Sequence, residues 1–224
     1  MFKLLACTFL LLAAGLKFEA PAAAPEQPPT AIEKQHSATH KISFGSINVA
    51  PSASVQDLPH CSATAVGPHA LLTAQHCFED TNSLIVDNDT KNPVIISAAL
   101  IDGHDHVIYI VQATFQTYMP IEERTLVLGE PVHQWGAPED LDDVYRCGYF
   151  VSIANPQKDR GLNFLIAFDQ VEKFVLPDYP GDSGAAIFDA SGHIVAVVTG
   201  GHGATGYSPL LSFTPEQIDI ATTK

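Results

Sequence analysis

The segment of this sequence most able to do chemistry is Pro180-Gly181-Asp182-Ser183-Gly184. Acyl transfer needs a serine oxygen exposed on a tight turn, with backbone N–H groups converging where a carbonyl oxygen becomes negative. Glycines on either side permit so sharp a turn and leave room for a substrate. Ser183 is therefore a candidate nucleophile, and the N–H groups of Gly181 and Ser183 are a candidate oxyanion hole. The same composition also makes ordinary β-turns. A serine nucleophile needs a base, and Leu72-Thr73-Ala74-Gln75-His76-Cys77 ends an apolar run with a histidine followed at once by a cysteine. Imidazole is the side chain suited to proton transfer near neutral pH, so His76 is the candidate general base. A carboxylate must then fix the imidazole tautomer. Asp105 directly precedes the run His106-Val107-Ile108-Tyr109-Ile110-Val111, at the mouth of a strand, and takes that role; Asp102 is the main rival, with Asp87 and Asp89 behind it. His104 and His106 flank Asp105 and admit a metal-site reading. Strand alternation places them on the opposite face from Asp105, and no convincing third ligand accompanies them. The constellation calls for no cofactor and no metal.

These residues need elements to hold them. Short runs that alternate or are wholly apolar, bounded by turn residues, follow one another: KISFGSINV, CSATAV, ALLTA, SLIV, VIISAALI and HVIYIVQATF, then PVHQWG, VYRCGYFVSI, LNFLIAFDQV, GAAIF and HIVAVV. Such spacing signals an all-β barrel or sandwich, and two strand sets suggest two barrels. GAAIF and HIVAVV are joined by the turn Asp189-Ala190-Ser191-Gly192. Thr214-Pro215-Glu216-Gln217 offers a capping hydroxyl, proline at the first helical position and glutamine at the third, which predicts a short C-terminal helix. Residues 1–24 read as a signal peptide and 25–41 as a flexible Pro/Ala-rich pro-region or linker. Residues 42–116 read as an N-terminal barrel, 117–127 as an inter-barrel linker, and 128–224 as a C-terminal barrel with the terminal helix.

Composition narrows the partners. The chain has 224 residues, 46% hydrophobic and only 16% charged, with a formal net charge of −14. That balance repels nucleic-acid phosphates and anionic membranes, so no nucleic-acid partner is expected; a protein or peptide substrate is expected from the serine chemistry and not from the charge. Lys3 ahead of the apolar run from Leu4 to Ala14 has the layout of a secretory leader and is too short to span a bilayer comfortably, so a secreted or otherwise extracytoplasmic location without stable membrane insertion is expected. Removing the leader takes Cys7 with it and leaves Cys61, Cys77 and Cys147. A hairpin turning at Gly67-Pro68-His69 brings Cys61 and Cys77 together, and Cys147 is read as a buried strand thiol.

Together these residues resemble the trypsin-like (chymotrypsin-fold) serine peptidases. TAQHC is similar to that family's Thr-Ala-Ala-His-Cys block, HDHVIYIV to its Asp-Ile-Ala-Leu-Leu strand, and PGDSGAAIF to its Gly-Asp-Ser-Gly-Gly-Pro block, in the family's order of His, Asp and Ser. VHQWGAPEDLDDVYRCGYFVS resembles the segment that opens the second barrel in compact bacterial and viral members, and the short interval from His76 to Asp105 resembles theirs too, the high-temperature-requirement proteases included. The resemblance implies two antiparallel six-stranded β-barrels with the site in the cleft between them. It also implies a substrate pocket walled by Thr199, Gly200 and Gly201 with His202 beyond, and Asp178 five residues before the serine, one closer than trypsin's acidic residue. Asp178 contacting a basic side chain and His202 an acidic one both stay open. Lys41-Ile42-Ser43-Phe44-Gly45 faintly resembles an activation site whose new N-terminus would pair with Asp182; a relative without a zymogen can keep that aspartate with another partner.

The expected function is a secreted serine endopeptidase working through an acyl-enzyme. A catalytically inactive relative of the same fold is the alternative, and a metal-binding β-protein using His104 and His106 is a third reading.

Overall fold

A computed structural model describes residues 29–43, 60–77, 82–141, 144–158, 162, 165 and 167–223. The leader read over 1–24 lies outside the described residues, as do 25–28 of the following segment. Strands β1 (Thr39–Ser43), β2 (His60–Gly67), β3 (Ala70–Ala74), β4 (Ser83–Val86), β5 (Val94–Ile101) and β6 (His106–Val111) close into an antiparallel barrel in the order β1-β2-β3-β6-β5-β4. β3 and β6 are buried at every position, which is why both read as unbroken apolar runs. Ile42, Leu71, Leu72, Leu84, Ile108 and Tyr109 fill the barrel with no exposed surface. Closure leaves no strand edge unpaired. Cys61 and Cys77 are joined by a disulfide across the β2–β3 hairpin, with Cα atoms 6.4 Å apart. Closing a loop of that length is worth roughly 3 kcal/mol in the chain-entropy account.

The second half forms β7 (Pro131–Gly136), β8 (Val144–Ala154), β9 (Val171–Val175), β10 (Ala186–Phe188), β11 (Ile194–Val197), β12 (Gly200–His202) and β13 (Thr205–Pro209). They make one antiparallel sheet of order β11-β10-β7-β8-β9-β13-β12, whose two end strands, β11 and β12, are successive pieces of one run interrupted at Val198 and Thr199, consistent with the expected second barrel. Past β11 the Gly184 N–H donates to Val198 O at 2.7 Å and the Val198 N–H to Ala185 O at 2.9 Å, carrying the β10–β11 pairing on to the loop of Ser183. β12 then begins as a separate strand. The sheet still curls until its ends approach, with the Val197 N–H donating to Ser208 Oγ at 3.1 Å. The two halves share packing, Ile187 and Val195 on the second core and Phe188 and Ile194 on the first.

Three expectations change. The segment 25–41, read as flexible, carries helix α1 (Pro29–Ala38) and the start of β1. Its packing explains why: Gln35 and Ala38 are fully buried, and the His36 ring lies 4.4 Å from that of Trp135. The run LNFLIAFDQV is not a strand over its described residues; the strand starts at Val171, and Leu162 and Leu165 instead pack with Val171 and Tyr207 in a small separate core. Helix α2 (Pro215–Thr223) forms with the expected reciprocal cap, Gln217 N–H to Thr214 Oγ1 and Thr214 N–H to Gln217 Oε1, but it docks on the first barrel, its Ala221 carbonyl against Gly67 and Gln217 Nε2 donating to Ile101 O.

Glu172 in β9 is 2% exposed, and its Oε2 has no hydrogen-bond partner. Burial pushes its carboxyl up to about 8, against the attraction of Arg124. A carboxyl raised in the folded state contributes stability that is present below its unfolded pKa and is lost as pH rises through the folded value. Denaturant unfolding should therefore show Glu172→Gln matching wild type near pH 5 and exceeding it by about 2–4 kcal/mol at pH 8.5.

Candidate active site

His76 sits in the 3₁₀ turn Gln75–Cys77 that ends β3, and Asp105 sits at the entrance to β6, the neighbour of β3. Asp105 holds the histidine twice: Oδ2 lies 2.7 Å from His76 Nδ1, and Oδ1 accepts the His76 backbone N–H at 2.9 Å. Gln75 N–H donates to Asp105 O at 2.6 Å. The Asp105 side chain is 9% exposed and that of His76 43%, so a shielded carboxylate orients an accessible imidazole. With Nδ1 donating to Asp105, Nε2 carries the lone pair a base needs. The rival carboxylates are engaged elsewhere. Asp102 contacts the fully buried His106 at 2.6 Å, Asp87 contacts His40 at 2.8 Å, and Asp89 accepts from Asn92 at 2.8 Å. His104 Nδ1 faces Leu210 O at 2.7 Å, so the two histidines that admitted a metal reading are bound to different partners.

Ser183 lies on the turn leading into β10, between Gly181 at φ 98° and Gly184 at φ 84°, values that side chains rarely adopt. The Ser62 N–H donates to Ser183 O at 2.8 Å, and Cys77 Sγ lies 3.9 Å from the same oxygen. That contact brings the turn carrying His76 beside the serine. Around the loop, the N–H groups of Asp182, Gly184 and Ala185 donate to Tyr179, Val198 and Asp182 carbonyls. Among the described residues, the N–H groups of Gly181 and Ser183 have no backbone acceptor.

Behind the loop, Asp182 is fully buried and meets Arg146 of β8 at 2.7 Å. Its Oδ2 also accepts the Tyr179 N–H, while Oδ1 has no partner. Burial pushes this carboxyl up, and Arg146 opposes the push. Ile42, which cleavage after Lys41 would make an N-terminus, is a buried residue of β1 paired with Cys61 and Val86. The cation facing Asp182 in this fold is Arg146.

The proposed pocket residues lie together. Gly200, Gly201 and His202 form β12 at the end of the sheet, and a side chain on Gly201 would overlap the Asp178 carboxylate. Asp178 Oδ1 and Thr199 Oγ1 are buried without hydrogen-bond partners. Burial first, and the neighbouring Asp182 carboxylate second, push Asp178 up to about 7. The side chain of His202 is outside the described residues. Cys147 lies in β8 opposite His133 and is half-buried, more open than the buried thiol expected, because the outer face of that strand is partly exposed. Two residues were missed in the sequence. Arg146 stands between Tyr145 and Cys147 with nothing local to mark it, and Ser62 looked like one small residue of CSATAV.

A family model described as a trypsin-like peptidase domain matches residues 61–197. Comparison with curated proteins gives no match. Among solved structures, a serine endoprotease from Yersinia pestis superposes with a TM-score of 0.59 at 16% identity, covering 80% of this chain and 61% of that one. The active form of the Rv3671c protease from M. tuberculosis gives 0.60 at 16%, covering 95% and 92%. The HtrA-type protease AlgW with a tripeptide gives 0.61 at 16%, covering 80% and 58%. The chain thus spans about three fifths of the Yersinia and AlgW chains, and at such identity the likeness speaks for the fold alone.

Removing Arg146 would strand the Asp182 carboxylate in the interior. Arg146→Ala should lose about 3–5 kcal/mol in denaturant unfolding near neutral pH, and Arg146→Ala with Asp182→Asn should regain part of that loss.

Proposed function

The chain belongs to the trypsin-like peptidase family, and we propose that it is a secreted serine endopeptidase using Ser183, His76 and Asp105. The observation that carries this reading is the double hold of Asp105 on His76 at 2.7 and 2.9 Å, beside a serine loop in which the N–H groups of Gly181 and Ser183 have no backbone acceptor among the described residues. In the proposed cycle His76 Nε2 takes the Ser183 hydroxyl proton as Oγ attacks a peptide carbonyl. The N–H groups of Gly181 and Ser183 receive the oxyanion, and Asp105 stabilises the imidazolium. His76 then hands the proton to the departing amine. Water attacks the resulting acyl ester, with His76 again the base. The disulfide and the apolar leader-like run support an extracytoplasmic setting.

We assign substrate binding to β12 and the pocket beside it. β12 is the last strand of its sheet, so an extended peptide can add to its outer edge. Of the two specificities left open by the sequence, a basic side chain is the one we propose, supported by the buried Asp178 Oδ1, which has no hydrogen-bond partner among the described residues, next to Gly201.

Intact-mass analysis after treatment with a fluorophosphonate should show one adduct on wild type and none on Ser183→Ala or His76→Ala; a folded wild type that takes no adduct favours the inactive alternative. Asp105→Asn should lower kcat by about 10⁴-fold. Since Asp178 titrates at about 7, the ratio of kcat/KM for a lysine or arginine substrate to that for a neutral one should rise between pH 6 and 8. Protonation of the general base affects both substrates and cancels in the ratio, and Asp178→Asn should flatten it.

A further inference from the structure

Ser62 of β2 is fully buried and sits where the barrel meets the loop of Ser183. Its hydroxyl is engaged on both sides. It donates to the Gly181 carbonyl at 2.9 Å and accepts the Ala137 N–H at 3.0 Å. Its backbone N–H donates to Ser183 O at 2.8 Å, and its own carbonyl accepts from Thr73 Oγ1 at 2.7 Å. One residue of the first barrel therefore touches Gly181, Ser183 and, through Ala137, the strap that follows β7. That strap holds the same loop at one more point, the Glu139 N–H donating to Pro180 O at 2.7 Å, and its Ala137 O faces Nε2 of His60 in β2 at 3.1 Å, with the His60 ring against Gly181.

The Gly181 carbonyl belongs to the peptide plane that lies between the N–H of Gly181 and the N–H of Ser183. Gly181 has no side chain to restrain it, and at φ 98° it occupies a region where glycine has neighbouring alternatives. The N–H on that plane is that of Asp182, which donates to Tyr179 O at 3.0 Å, so rotating the plane would change the backbone directions on either side of it and re-aim the flanking Gly181 and Ser183 N–H groups. We propose that the Ser62 hydroxyl is a positioning residue that fixes this plane, through the relay Ala137 N–H to Ser62 Oγ–H to Gly181 C=O, and so keeps the oxyanion donors aimed. The inference rests on the assignment of Gly181 and Ser183 as those donors. A hydroxyl is required because the site needs one acceptor and one donor on the same atom, which among side chains of this size serine supplies. Alanine would take this partner from the buried Ala137 N–H and from the carbonyl of the half-buried Gly181. Because the oxyanion exists only after attack, the loss falls on the transition state and not on substrate binding.

Thr64, two residues along the same strand and equally buried, supplies the control: its hydroxyl has no hydrogen-bond partner, so Thr64→Val perturbs the strand without touching the relay. Ser62→Ala and Thr64→Val are compared with wild type for kcat, KM, affinity for a peptide boronate, and amide hydrogen exchange of segments 136–141 and 178–184. Ser62→Ala is expected to lower kcat about tenfold or more with KM within about twofold, to weaken boronate binding in parallel, and to speed exchange in both segments, while Thr64→Val changes none of these. Values of kcat and boronate affinity for Ser62→Ala matching those of Thr64→Val overturn the proposal. Should wild type take no fluorophosphonate adduct, the peptidase reading fails separately. Exchange then decides the relay alone: faster exchange in both segments upholds it and unchanged exchange overturns it.

Discussion

A carboxylate buried behind the serine loop is the constraint from which much of the second half follows. Asp182 has no exposed surface, and a charge so placed has to find a cation and hydrogen bonds or give up its charge. Arg146 supplies the cation from the middle of β8, and the Tyr179 N–H supplies a further bond. Those two contacts draw β8 and the approach to the serine onto the same point. Gly136, at the end of β7, has no side chain because the Asp182 carboxylate occupies that space. The turn carrying Ser183 is thereby fastened from beneath, while its upper side is left to the cleft. The raised pKa of Asp178 belongs to the same arrangement, since Asp182 is one of its causes.

The barrel contributes rigidity of another kind. β3 and β6 are neighbours in register from Ala70 against Ile110 to Ala74 against His106, and His76 and Asp105 lie just beyond the last of those pairs. Their separation is set by the ladder and needs no flexible loop to find it. The disulfide fixes the residue after His76 to the residue before Ser62, so the imidazole and the contact with the serine loop share one anchor. Asp102 and His106 brace the short loop that presents Asp105, with the His104 and His106 N–H groups both donating to Asp102. The His-Asp-His run is in this sense a scaffold.

Local features were the readable ones. The strands of the first barrel, the cap at Thr214, the turn at Asp189 and the pairing of Cys61 with Cys77 each declare themselves within a few residues, through periodicity, a capping hydroxyl or a hairpin-length spacing. The choice of Asp105 over Asp102 rested on its position at a strand mouth; Asp105 Oδ2 lies 2.7 Å from His76 Nδ1, while Asp102 faces His106. What stayed hidden depends on distant partners. α1 looked like linker because its only strong support is burial against chain far away in sequence, including Trp135. LNFLIAFDQV looked like a strand because apolar runs are ambiguous when tertiary packing, and not pairing, consumes them. Ser62 and Arg146 are ordinary residues until their partners 119 and 36 positions away are known.

The docking of α2 on the first barrel bears on the order in which the molecule assembles. β2 and β5 are among the earlier strands, yet the Ala221 carbonyl rests on Gly67 and the Gln217 side chain reaches Ile101. Contacts spanning that much of the sequence carry a high closure entropy and form late. The docked helix thus reaches the first barrel only after the second sheet has been laid down between them. A chain emerging in sequence order holds its histidine and aspartate before the serine loop and the helix docked on the barrel have been made.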